Sequence, residues 1–109
     1  MDNDELENDE LENDEFPDFI TPVLGGEDEA LKVDLLKGVT VDGEVRKSLT
    51  LREPSVGDMM AARKMAKNDS AKSEVILIAN LADVPPKSIQ AAKMKDYSRL
   101  QEALDFLNG

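Results

Sequence analysis

Histidine, cysteine and tryptophan are all missing from these 109 residues. Their absence removes the Cys–His nucleophile pair, the Cys/His zinc site and any disulfide framework. A chain free of cysteine also fits a reducing compartment. No apolar run approaches the ~20 residues needed to span a bilayer. Basic residues are absent from the first third: residues 1–31 carry 13 acids and no Lys or Arg. An acidic start is not a secretory leader. The other 11 acids and all 13 bases lie in residues 32–109. The net charge of −11 therefore belongs to the N-terminal third, and the remainder is close to neutral. Contacts to phosphates release counterions only from a cationic face, so nucleic acid is not an expected partner, and neither is a membrane.

What is present begins with a repeat. Asn3-Asp4-Glu5-Leu6-Glu7 recurs as Asn8-Asp9-Glu10-Leu11-Glu12 and again as Asn13-Asp14-Glu15-Phe16. A five-residue step turns about 140° on a helix, so Leu6, Leu11 and Phe16 form no common stripe. Dense like charge opposes compaction as well, and residues 1–15 are expected to be disordered. The repeat does not match an EF-hand loop, because Leu6 falls on the fifth position counted from Asp2 and no glycine occurs before Gly25. No metal or cofactor is expected. Residues 16–24, FPDFITPVL, read either as a linker packed loosely on the domain or as a short motif that docks on a partner. Gly25-Gly26 marks the expected boundary between a tail and linker over residues 1–26 and a folded domain over residues 27–109.

Leu31, Val33 and Leu35 alternate as in a strand with one buried face, and Val45, Leu49 and Leu51 repeat at period two. Asp42-Gly43 between them is a tight-hairpin signal, since both central positions need positive φ. A strict two-residue loop would place Leu35 opposite Thr50, on the face away from Leu49 and Leu51. A longer loop starting near Gly38, or a bulge, is needed to bring the apolar sets together. Pro54 ends the second strand, and Ser55 with Asp58 has the spacing of a capping box.

A first helix is expected over about residues 56–67, with Val56, Met59, Met60, Ala62 and Ala66 on one side and Met65 exposed opposite. Asn68-Asp69-Ser70 reads as a turn and second cap. The helix that follows, residues 71–82, is apolar nearly all round and should be central. Pro85-Pro86 opens a short helix to about Ala92. Asp96 reads as the cap of a last helix over about residues 97–107. Its stripe is Tyr97, Leu100, Ala103, Leu104 and Leu107, and Phe106 sits on its polar side, either folding back or contacting another chain. The fold class is α+β: a disordered acidic tail, a β-hairpin, then three to four short helices.

The order of these pieces carries a resemblance. Leu49-Thr50-Leu51-Arg52-Glu53-Pro54 is followed by Gly57-Asp58, an apolar helix, the Pro85-Pro86 break and Asp96-Tyr97-Ser98-Arg99-Leu100-Gln101-Glu102-Ala103-Leu104. Over about residues 31–107 this resembles the tail assembly chaperones of long-tailed bacteriophages, of the Mu-like type. The acidic repeat lies outside that pattern, and Gly38 stands where the pattern would place a proline. The resemblance implies a non-enzymatic protein that binds the tape measure protein, keeps it soluble and helps the tail tube protein polymerise around it. It further implies a location in the host cytoplasm, absence from the mature virion and, in related proteins, a frameshift-extended form.

The chemistry is compatible with holding a helical client. Met59, Met60, Met65 and Met94 are flexible and polarizable, suited either to filling gaps in a small core or to an adaptable docking surface. Met59, Met60, Met65, Leu100, Leu104 and Phe106 are the expected partner-binding residues, and homo-oligomerisation would help so small a domain. No catalytic residue is expected. Asp42, Asp58 and Asp83 read as turn, cap and helix-end residues, and no histidine activates Ser55, Ser70 or Ser98. The competing readings are a small structural virion protein and an acidic decoy that mimics nucleic acid.

Overall fold

The computed structural model describes residues 16–26 and 28–109. The disorder expected for residues 1–15 lies outside them. The described residues form a three-stranded antiparallel sheet followed by four helices, an α+β fold. The strands are β1 (Ile20–Val23), β2 (Ala30–Val41) and β3 (Glu44–Arg52), in the spatial order β1-β2-β3. The helices are α1 (Val56–Met65), α2 (Ser70–Ala82), α3 (Pro86–Gln90) and α4 (Met94–Asn108).

The hairpin resolves its parity conflict with a bulge. Asp42 and Gly43 take φ of 53° and 83°, the two positive values of a tight primed turn. Next to that turn Val41 pairs with Glu44 and Val39 with Arg46, the register of a strict two-residue loop. Beyond the bulge Asp34 pairs with Ser48 and Val33 with Leu49. Residues 35–38 of β2 thus face Lys47 alone. The extra residues restore Leu31, Val33, Leu49 and Leu51 to one buried face. Gly38 is required there: its φ is +93°, and a Cβ would lie 2.7 Å from the Arg46 carbonyl oxygen and 2.9 Å from Val45 Cγ1. Val45, expected with Leu49 and Leu51, lies on the turn side of the bulge opposite Thr40 and is exposed.

Residues 16–24 are neither a loose linker nor a free docking motif. Ile20 is buried, pairs with Val33 and belongs to the main core, while Phe16 and Phe19 pack against that core. The folded domain therefore starts ahead of Gly25-Gly26, not after it. Pro22 is tolerated because β1 is an edge strand, where a missing N–H donor costs little.

One face of the sheet carries the core. α4 lies along β2 and α2 packs on β3, burying Ile78, Leu81, Leu100, Ala103, Leu104 and Leu107 against the strands. Lys32, Asp34, Thr50 and Arg52 alternate with the buried strand residues and are exposed. α2 is central, as its all-round apolar character requires, and touches the other helices and β3. Its ends follow from local chemistry. Asp69 caps the start by accepting from the Lys72 N–H at 3.0 Å, and Asp83 ends it in the left-handed region at φ 60°. Pro86 occupies the first turn of α3.

Candidate functional site

Two features stand out among the described residues: a long-range carboxylate clasp and an apolar surface turned outward. The clasp is Asp96. It was expected to cap the last helix, but α4 begins earlier, at Met94 with Lys93 before it, and Asp96 makes no capping bond. Its carboxylate instead accepts three backbone N–H groups of the β2 bulge, from Leu36, from Lys37 at 2.9 Å and from Gly38 at 2.9 Å. Asp96 is fully buried. Burial pushes its carboxyl upward, and the three N–H donors outweigh that and hold it below the usual carboxylate range. The Lys47 ammonium donates to the Leu36 carbonyl at 3.1 Å and closes the other side of the bulge. Nearby, the Arg99 guanidinium donates to the Asp34 carbonyl at 2.8 Å and lies 4.5 Å from the Phe19 ring centroid. These groups position α4 on the sheet.

A second polar set ties α2 to α4. Glu74 accepts from the Tyr97 hydroxyl at 2.6 Å and from the Gln101 amide at 2.8 Å. Burial, then the bond to Glu74, holds the Tyr97 hydroxyl protonated well above the usual tyrosine range. At the hairpin tip, a depression between β2 and α3 brings Asp42 and Lys87 to its walls, with no further charged group among its lining residues.

The outward surface is α1. Ser55 and Asp58 form the reciprocal capping box at its start, with bonds of 2.9 and 3.1 Å. Arg52 grips Asp58 with both guanidinium ends at 2.8 and 3.1 Å. That pair, followed by the Ser55 N–H, holds the Asp58 carboxyl well below its usual range. α1 then packs on α2 through alanine. Ala62 and Ala66 are buried against Ile76, with Leu77 alongside, in a small cluster separate from the main core. Every apolar side chain of α1 larger than alanine is exposed: Val56, Met59, Met60 and Met65 show between 44% and 70% of their surface to solvent. The expected common side of Val56, Met59, Met60, Ala62 and Ala66 therefore splits. Close approach of two helices selects the small residues, and the large ones are left outside.

Of the expected partner-binding residues, Met59, Met60 and Met65 are all exposed on α1, with Met65 on the side away from the other two. Leu100 and Leu104 are not available, because both are buried in the main core under the sheet. Phe106 folds back: its ring meets Phe16 in an edge-to-face contact with centroids 4.9 Å apart and an interplanar angle of 65°. Its partner was hidden from sequence reasoning, since residues 16–24 were not assigned to the fold. Asp96 was the other residue misread. An Asp ahead of an apolar stripe looks the same whether it caps its own helix or reaches a strand 58–60 residues away.

The described residues are thus a small α+β domain with one helix whose large apolar side chains face solvent. A family model described as "Phage tail assembly chaperone proteins, E, or 41 or 14" matches residues 32–109, and the chain belongs to that family. A role in phage tail assembly, with tail-related protein partners, follows from that membership. No curated protein and no solved structure matches the chain. Among the described residues no group of three acidic side chains is placed to hold a metal ion, and no helix is long and apolar enough to cross a membrane.

Proposed function

We propose that this protein acts without catalysis as a holding factor for the tape measure protein. It keeps that protein soluble and helps the tail tube protein assemble around it, in the host cytoplasm and outside the finished virion. The observation that carries this reading is α1. A helix that buries only alanines and turns Val56 and three methionines to water exposes apolar surface for which the isolated domain has no use. Methionine adapts to varied apolar shapes, as a surface that must accept a long helical client requires. Family membership in the tail assembly chaperones supports the same reading.

The test is co-production of the full chain with the tape measure protein of the same phage. The expected outcome is that the tape measure protein moves into the soluble fraction and is recovered with the chain by affinity capture. Equal precipitation with and without the chain would refute the proposal. Mass spectrometry of purified particles adds an independent check, because a structural subunit would be present in many copies and a holding factor absent.

A further inference from the structure

The geometry points to one occupant for the outward face of α1: a client helix whose apolar stripe is flanked by carboxylates. This inference rests on the client-binding reading above and adds the surface and the chemistry of the partner.

Val56, Met59, Met60 and Arg63 are spaced i, i+3, i+4 and i+7. On a helix they cover one continuous arc of about 100°, beside the arc that Ala62 and Ala66 press onto α2. That spacing is the ridge against which a second helix packs, and it lines one side of the α1–α2 pair. α1 is 10 residues long, so the ridge is about 15 Å, enough for two to three turns of a partner.

Charge then selects the partner. Arg63 lies inside the apolar arc, and Lys64 and Lys67 border its C-terminal end; all three are exposed. Three of the four acids between Arg52 and Glu74 are engaged within the domain, Asp58 with Arg52 and Ser55, Asp69 with the start of α2, and Glu74 with Tyr97 and Gln101, while Glu53, ahead of the helix, accepts only from the Glu29 N–H at 3.4 Å. The face therefore offers methionine and positive charge together. A second copy of α1 would bring the same three bases and be repelled. A helix with Leu or Met in its stripe and Asp or Glu beside it satisfies both properties.

The experiment uses the full chain with its methionine methyl groups ¹³C-labelled. The probes are two 21-residue synthetic helices with identical leucine stripes, one flanked by glutamate and one by lysine. The expected result is that the glutamate helix shifts the Met59 and Met60 methyl signals and leaves Met94 unmoved. The lysine helix should bind at least tenfold more weakly. Met59→Gln/Met60→Gln should weaken the glutamate helix at least tenfold with an unchanged melting temperature, and Arg63→Glu/Lys64→Glu should remove the preference between the probes. Equal affinity for both helices, or binding that the methionine substitutions leave intact, would overturn the proposal. So would Met59 and Met60 signals that move with protein concentration alone, which would make the face a contact between copies. If the Met59→Gln/Met60→Gln chain solubilises the tape measure protein as well as the native chain does, this surface is wrong and the assembly role stands. If the native chain itself fails in that assay, the broader function fails instead.

Discussion

Removing the Asp96 carboxylate should cost this domain a large part of its stability. In Asp96→Ala the N–H groups of Leu36, Lys37 and Gly38 lose their acceptor. A hydrogen bond to a charged acceptor contributes roughly 1.5–3 kcal/mol. Simply added, three of them would come to about 4.5–9 kcal/mol. Against them stands the desolvation of a fully buried carboxylate, several kcal/mol. Leu36 and Lys37 are exposed, so water reaches part of the bulge in the variant. The net loss should be about 3–5 kcal/mol, against a total of about 5–15 kcal/mol for an ordinary domain. Asp96→Asn retains one acceptor oxygen but turns an amide donor toward other donors, and should lose about 2–3 kcal/mol.

Urea unfolding followed by circular dichroism measures both, with the slope against urea unchanged because the fold is retained. The pH dependence follows from the lowered carboxyl. The unfolded chain binds the proton more readily than the native one, so the contribution of Asp96 is complete above the ordinary value of 3.8 and fades as pH falls through its native value. Native protein and Asp96→Asn should therefore differ at pH 7 and converge in acid below about pH 4. A loss under about 1 kcal/mol for Asp96→Asn at pH 7, or a gap that widens on acidification, would refute the reasoning.

Gly38→Ala should cost about 2–3 kcal/mol in the same urea assay, because a Cβ at φ +93° adds strain to a contact of 2.7 Å with the Arg46 carbonyl; a neutral result would show that the bulge is not built as described. A double-mutant cycle on Phe16→Ala and Phe106→Ala should give a coupling of about 0.5–1.5 kcal/mol, while zero coupling would detach residue 16 from the end of α4.

Local chemistry was legible in the sequence wherever one short segment decides the outcome. Asp42-Gly43 marks the turn, and the parity of Leu35 against Leu49 and Leu51 calls for either a longer loop or a bulge, of which the structure takes the bulge. Ser55-Asp58 and Pro86 mark helix starts that the structure keeps, and within Asn68-Asp69-Ser70 the structure selects Asp69 as the cap, so that α2 begins one residue earlier than expected. What stayed hidden depends on partners distant in the chain. β1 is four residues long and carries Pro22, so it has no alternation of its own, and only the edge of β2 makes it a strand. Asp96 has the local signature of a cap, and the competing donors belong to a bulge whose geometry the sequence does not state. On α1 a helical wheel groups Val56, Met59 and Met60 with Ala62 and Ala66, but cannot say which of them a neighbour will take. The choice was made by α2, which accepts alanine at close range, so that Met59, Met60 and Met65 are left exposed, while Leu100 and Leu104 are buried and Phe106 packs against the core.

The Asp96 clasp also sets an order of events during translation. Both strands of the hairpin leave the ribosome early, yet the irregular middle of β2 has no acceptor for its three N–H groups until residue 96 has been synthesised and has emerged. A polypeptide that ends before that point lacks both this acceptor and the α4 residues Leu100, Ala103, Leu104 and Leu107 that cover the sheet. The clasp can therefore close only after residue 96 has cleared the ribosome, and released chains truncated just before or just after Asp96 should differ in protease resistance.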